Sequence, residues 1–320
     1  MRVIVVDNNS TDNTCEIVRA WASGSSPFLS RAGCPLGVIA SVPKPLQYAE
    51  NVTTDGFIVT QELTLLRSPI NGGFAYAVNR GLQVLLPIPE IDLFWVLNPD
   101  CVVHPQTAQI YMEHGKLGDF SLMGGRTIYY ERPDQIQTQG GHVNRWTATC
   151  AQNGYGLSPN DTPMPTGDEI DFITGANMVA SRRFIEQSGL MIEDYFLYYE
   201  EVDWAFRRGS LPLLIAPDAL VYHHGGTSIG TGSTLRRPSP FANYFNYRNR
   251  MIFARRHFPG RMPFVYIYAL AKAAQLLLKG APNESWAIIV GIFNLRPPSA
   301  VFRRIADPAA RQLAFGRTEL

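Results

Sequence analysis

Two short apolar runs in this chain end abruptly in acid. Val3–Val6 is followed at once by Asp7, Asn8, Asn9, Ser10, Thr11 and Asp12, and Leu93–Leu97 runs straight into Asn98–Pro99–Asp100. Runs this short and this uniformly apolar predict strands covered on both faces, because a half-solvated strand alternates apolar with polar residues. Helical stretches stand between them. Thr14–Ala22 is one, and Phe74–Leu86 is another, with Phe74, Ala77, Val78, Leu82 and Leu85 on one stripe. Strands alternating with helices predict an α/β chain with a mostly parallel central sheet. In such a sheet ligands bind beyond the carboxyl ends of the strands, and both acidic turns fall there.

Composition narrows the class. Of 320 residues, 46% are hydrophobic and 17% charged, which supplies a packed core and excludes global disorder. The net charge of +1 excludes a general nucleic-acid footprint. Cys15, Cys34, Cys101 and Cys150 are far apart and form no CxxC. A zinc site or disulfide framework is therefore not expected, and a reducing, cytoplasmic setting fits. The chain opens directly into MRVIVVDNNS, without the long apolar segment of a secretory signal. Phe264–Leu278 is the most apolar late stretch. Interrupted by Lys272, it is shorter than the roughly 20 residues that span a bilayer. It reads as a buried or partner-facing helix, with an interfacial helix on a membrane as the alternative.

The remaining elements follow the same logic. Residues 23–60 are rich in Gly, Pro and Ser and read as an insertion, with Gly56–Thr60 and then Thr64–Arg67 as strands. His104–His114 reads as a helix. Ile173–Ala180 leads into a helix near Ser181–Ser188. Leu213–Ala216 and Ala219–Tyr222 read as two strands. From Phe241 the texture becomes helical, so residues 1–250 form an α/β domain and 251–320 a helical extension.

The turns carry the candidate chemistry. Asp12 sits among good helix-capping types, whereas Asp7 stands alone at a strand tip. Asn98 and Asp100 flank a proline-stiffened turn and can face one oxygen-loving cation. In NGGFAYAVNRGL, Asn71, Gly72 and Gly73 precede a helix start, which favours close backbone approach and an anion; Asn79 and Arg80 lie two turns on. Neither a dinucleotide fingerprint nor a P-loop is present. His223 and His224 open HHGGTSIG, better placed for diphosphate or metal than a lone histidine. Arg236, Arg237, Arg248 and Arg250 read as a solvated helical face, with screening of a diphosphate as the alternative.

FLYYEEVDW, residues 196–204, crowds Glu200, Glu201 and Asp203 among aromatics. On a helix Glu200 and Asp203 share a face, and Arg207 follows Asp203 at ion-pair spacing. One glutamate is then left to face a cleft. An aromatic wall and like-charged neighbours raise a carboxyl pKa, which suits a general base near neutrality.

Taken in order, VVDNNSTDNT, NGGFAYAVNRGL, LNPD, ITGANMVASRRFIEQSGL, FLYYEEVDWAFRRG and YHHGGTSIG resemble the inverting family 2 glycosyltransferases, nearest their bacterial rhamnosyltransferase-like branch. The resemblance covers about residues 3–250 outside the insertion. It implies a GT-A-like fold, an NDP-sugar donor with dTDP-rhamnose as one candidate, and a divalent cation, Mg²⁺ or Mn²⁺. The acceptor would be a glycan or a lipid-linked sugar, with peripheral contact at the inner face of a membrane and no nucleic-acid partner. Asp7, Asn9, Asp12, Asn71, Gly72, Gly73, Asn79, Arg80 and Asn98 would line the nucleotide-sugar. Asp100 and His223 would hold the metal, with Asn98 where the family has its first acid. Gly175, Asn177 and Trp204 would lie on the acceptor side. Glu201 matches the catalytic base, with Glu200 as the fallback and Asp203 completing the motif. Members of the family carry a further strand and helix before the VVDNNS-type strand, which this chain is expected to lack. A non-catalytic nucleotide-sugar-binding or scaffold protein is the competing class, and a nucleotidyltransferase a weaker third.

Overall fold

The computed structural model describes residues 1–26, 33–37, 42–51, 61–225 and 237–316. The run at Val3 becomes β1 (Val3–Asp7), and α1 (Thr14–Ser23) follows. β2 (Tyr48–Asn51) and β3 (Leu63–Arg67) join β1 in a parallel sheet of order β1–β3–β2. β2 lies inside the stretch read as insertion, and Gly56–Thr60 falls outside the described residues. Next come α2 (Phe74–Leu85), β4 (Leu93–Leu97), β5 (Cys101–Val103), α3 (Thr107–His114), β6 (Leu122–Tyr129) and β7 (Ile136–Thr138). β8 (Gly141–Val143) and β9 (Cys150–Gln152) form a separate hairpin. β10 (Asn177–Ser181), α4 (Arg182–Ser188), α5 (Glu200–Phe206) and β11 (Leu214–His223) finish the α/β part. Five helices follow: α6 (Pro240–His257), α7 (Met262–Leu278), α8 (Pro282–Ile292), α9 (Ser299–Phe302) and α10 (Pro308–Phe315).

The second sheet has the order β4–β10–β6–β11–β5, with β7 also on β6. Here the expectation of a mostly parallel sheet needs correction. β6 and β11 are parallel, but β10 runs antiparallel to both β4 and β6, β5 antiparallel to β11, and β7 antiparallel to β6. An apolar run reports that both faces of a strand are covered and says nothing of its direction. Direction follows from the connection, and β10 returns through the long 139–176 excursion rather than through a crossover helix. The two predicted strands at 213–222 are one strand, β11, with a register shift between Ile215 and Leu220.

Helix α2 lies over both sheets. Ala75 and Leu82 belong to the same core cluster as Phe94 of β4, while Val84 clusters with Leu66 of β3 and Val6 of β1. The division expected at residue 250 falls inside α6, whose Met251, Ile252 and Phe253 belong to the main core. Arg248 and Arg250 are buried, not solvated as expected, and Asn249 between them is fully buried. Arg236 lies outside the described residues.

Candidate active site

The segment before α5 holds an improbable backbone. Phe196, Tyr198 and Tyr199 all have left-handed φ angles, 62°, 72° and 75°. Bulky side chains avoid that region, and such strain persists only where surroundings over-determine it. Asn249 supplies the determinant: its Nδ2 donates to the carbonyls of Tyr195, Leu197 and Tyr198 at 2.8, 2.6 and 3.1 Å. Arg250 Nε donates to the Tyr199 hydroxyl at 3.0 Å, which donates to the Ala148 carbonyl at 2.7 Å. Sequence reasoning missed Asn249. The signal, an amide between two arginines on an apolar helix, is readable only once its burial is known.

This clamp delivers the three carboxylates to different fates. Asp203 is fully buried and accepts from Arg207 Nε at 2.9 Å, from the Tyr195 hydroxyl at 3.0 Å and pairs with His257 Nε2 at 2.9 Å. Burial pushes its carboxyl up, but His257, Arg207 and Tyr195 outweigh that and hold it below the ordinary carboxylate value. An acid so enclosed is a structural anchor, which corrects its placement among catalytic residues. Glu200 is also sealed, at 1% exposure, and its Oε1 finds no partner among the described residues. Burial and the neighbouring Glu201 charge push it far above the ordinary carboxylate value. Glu201 is half-buried and likewise raised, by burial.

The Glu200 shift has a testable sign. A carboxyl raised in the folded state contributes stability below its unfolded pKa, roughly 4.3, and loses that contribution as pH rises through the folded value. Glu200→Gln is expected to raise the melting temperature, more at about pH 8 than at about pH 5. Thermal unfolding at both values checks this; a gain that shrinks with rising pH refutes the buried neutral acid.

The loop before β10 joins the base to the strand tips. A Cβ placed on Gly175 would lie 3.7 Å from Glu201 Cβ and 3.0 Å from the Phe74 ring. The next residue, Ala176, accepts from the Asn98 backbone N–H at 3.0 Å and from Cys101 Sγ at 3.6 Å. Cys101 and His223 are opposite one another in the β5–β11 ladder, so their side chains share a face. Asp100, Cys101 and His223 form the one cluster among the described residues that offers three ligand atoms mutually within 4.8 Å.

The histidine is oriented for a cation. Its Nδ1 lies 2.6 Å from Gln137 Oε1, an acceptor, which assigns the proton to Nδ1. Nε2 then points its lone pair at Asp100 Oδ1, 3.1 Å away, and at the Asn98 amide, 3.3 Å away. Two acceptors facing each other define a place for a positive charge. Burial and Asp100 push the Cys101 thiol up to about 12, so it offers a weak neutral donor. The Asp100 carboxylate and the His223 imidazole are of the types that could hold a divalent cation. Gln137 was not foreseen; it is an unremarkable residue in sequence that becomes an orienting partner through strand pairing alone.

The nucleotide-side residues divide. Asp7 is buried at the tip of β1 and accepts from the Ser10 N–H at 3.2 Å. Asn9 follows with φ 62°, and Asp12 is exposed and accepts from the Thr14 N–H at 3.0 Å, just before α1, whose N-cap is Asn13. Asn8, also unforeseen, ties this turn to the glycine turn: its Nδ2 donates to Asn71 Oδ1 and the Gly73 carbonyl, and its Oδ1 accepts from the Gly72 N–H. Gly73 does not open space for a ligand as expected. A Cβ there, at φ 88°, would sit 2.2 Å from the Phe196 carbonyl oxygen, and that carbonyl accepts the first helical N–H, from Phe74. A Cβ on Gly72 would strike the Tyr76 ring. Asn79 is buried and bonds Met191 and Glu193, which fixes α2 to the loop before α5. The Arg80 guanidinium lies 5.7 Å from the Tyr76 ring centre. Two acceptor-side expectations also change. Asn177 is fully buried and holds Trp95 and Tyr111, and Trp204 is a core residue donating to the Gly189 carbonyl.

No family model matches the chain. An N-acetylglucosaminyl-diphospho-decaprenol L-rhamnosyltransferase of Mycobacterium tuberculosis (strain CDC 1551 / Oshkosh) is 27% identical over 240 residues, 64% of this chain and 74% of the relative, and the protein of that name from strain ATCC 25618 / H37Rv matches equally. Among solved structures, the mannosyltransferase PcManGT from Pyrobaculum calidifontis overlaps 92% of this chain and 77% of its own at 13% identity, with a TM-score of 0.45. TarS 1-349 of S. aureus overlaps 98% and 77% at 12% identity, with a TM-score of 0.46. The architecture is α/β with a helical C-terminal region. In sequence, over the 240 matched residues, the chain is similar to an L-rhamnosyltransferase.

Proposed function

We propose that the chain is an inverting transferase that moves a sugar, rhamnose foremost, from an NDP-sugar such as dTDP-rhamnose to a lipid-linked or glycan acceptor. One observation carries this. The Gly175–Ala176 loop lies against Glu201 at one residue and accepts the Asn98 N–H at the next, beside the turn that carries Asp100 and faces His223, which supports Glu201 as the base of this site. Glu201 takes the proton of an acceptor hydroxyl, whose oxygen attacks the anomeric carbon. The bond from that carbon to the diphosphate breaks on the opposite side, and the nucleoside diphosphate leaves. A divalent cation on Asp100 and His223 would neutralise charge on the leaving diphosphate. Glu201 is chosen over Glu200 because a base must touch its substrate, and Glu200 is sealed. Rhamnose and the lipid-linked acceptor are supported by the name of the mycobacterial relative. An acceptor of that kind implies peripheral work at a membrane.

The test is nucleoside diphosphate release across a panel of NDP-sugars, with Mn²⁺, Mg²⁺ or EDTA, using a short-chain lipid diphosphate sugar as acceptor. Turnover that Mn²⁺ supports and EDTA abolishes is expected. In the same samples Gln137→Leu is expected to weaken Mn²⁺ binding by calorimetry about 10–100-fold. Donor binding without turnover for every acceptor would favour a non-catalytic binding role. Undiminished Mn²⁺ affinity in Gln137→Leu would remove His223 from the metal site.

A further inference from the structure

Helix α7 is apolar almost all the way round, yet only one side of it is packed. Val265, Ala269 and Ala273 are buried in the main core with Ile288 and Ile292 of α8. On the other side Phe264, Ile267, Leu270, Leu277 and Leu278 are 46, 64, 42, 58 and 89% exposed. At 100° per residue these five, with Ala271 and Ala274, fall in one arc that contains no ionised group. A soluble surface rarely leaves so continuous an apolar strip uncovered.

The strip extends beyond the helix. At one end Trp146 meets Phe264 edge-on at 4.8 Å and carries the Arg261 guanidinium 3.5 Å from its ring centre. Along one side Phe293 stacks on Tyr266 at 5.8 Å and is half exposed. Lys272 and Lys279 lie on the opposite flank. Aromatic and basic residues bordering an apolar strip are what the headgroup region of a bilayer accommodates.

Charge selects the kind of surface. The net +1 conceals a division. Residues 237–320 carry 13 Lys and Arg against 3 Asp and Glu, a net +10, and residues 1–236 carry 15 against 24, a net −9. The basic part is the part that bears the strip, and 11 of its 13 cations remain once the buried Arg248 and Arg250 are set aside, a net +8. Polybasic segments next to an apolar anchor gain affinity from anionic lipid. α7 spans about 25 Å at 1.5 Å per residue, and no helix among the described residues is long and apolar enough to cross a membrane. Lying in the interface is the geometry that remains for a bilayer contact.

The strip leads to the candidate base. Trp146 sits two residues before Ala148, whose carbonyl receives the Tyr199 hydroxyl at the start of α5. We propose that the exposed face of α7, with Trp146 and Phe293, docks on an anionic lipid bilayer and holds the Glu201 rim at the membrane surface. Its purpose, delivery of a membrane-borne acceptor, rests on the function proposed above; its evidence does not.

The test is co-sedimentation with vesicles of phosphatidylglycerol and phosphatidylcholine, against vesicles of phosphatidylcholine alone. Binding to the anionic vesicles is expected. It should weaken about tenfold or more on neutral vesicles, in Ile267→Glu/Leu277→Glu and in Lys272→Glu/Lys279→Glu. Donor affinity by calorimetry should stay unchanged in both variants. Protein that remains in the supernatant with every vesicle overturns the proposal. So does a dimer in sedimentation velocity that Ile267→Glu/Leu277→Glu dissolves, which would assign the face to a second copy. Equal binding to neutral vesicles overturns the role of charge. Vesicle binding without donor binding would sink the transferase reading and leave the docking surface standing.

Discussion

Glu201→Gln lowers kcat by about 10²–10⁴-fold, the usual worth of a general base, while donor affinity stays within about threefold of the parent protein. The amide keeps the shape of the side chain beside Gly175 and loses only its capacity to take a proton. Because burial raises the Glu201 carboxyl, the acid limb of kcat/KM falls above the ordinary carboxylate range, not near pH 4. Glu200→Gln should cost less than about tenfold, since Glu200 is sealed from any substrate. A larger loss in Glu200→Gln than in Glu201→Gln would reverse the assignment. Steady-state kinetics over pH on the three proteins, with donor titrations, decides it.

Asp203→Ala destabilises the fold by about 3–5 kcal/mol, the cost of breaking a buried ion pair and stranding its partner charge. The carboxylate is fully buried and faces Arg207, His257 and Tyr195, with Arg256 Nη1 at 3.9 Å. Removing it leaves Arg207 paired only to carbonyls of Ser188 and Leu190. The linkage sign is the reverse of that for Glu200. A depressed carboxyl contributes stability above its unfolded pKa, roughly 3.9, and that contribution is lost as pH falls through the folded value. Asp203→Asn should therefore flatten the acid side of the stability curve. Urea unfolding of both variants from neutral to acid pH measures this. An Asp203→Ala midpoint equal to the parent's would return Asp203 to the list of free site acids.

The two predictions separate what looks alike in FLYYEEVDW. The i, i+4 spacing of Asp203 and Arg207 foretold their ion pair, because helix geometry is local. Nothing local distinguishes Glu200 from Glu201. Their difference is burial, set by a loop of three left-handed residues that Asn249 holds from another helix, about 50 residues on in the chain. The glycine turn at 72–73 teaches the same lesson in the other direction. Glycines before a helix are compatible with a ligand or with a second piece of backbone, and here the occupant is the Phe196 carbonyl.

By itself the sequence determined, to within a residue at each end, the strands read at 3–6, 64–67 and 93–97, the helices read at 14–22 and 74–86, and the acids at strand tips, because apolar periodicity and turn chemistry act over a few residues. Only the tertiary structure decided strand direction in the second sheet, the burial of Arg248 and Arg250, the sealing of Glu200, and the turning of His223 toward Asp100 by Gln137. Each of these depends on which distant segments meet. Contact energies of a few kcal/mol between such segments outweigh the preferences that any short stretch expresses alone.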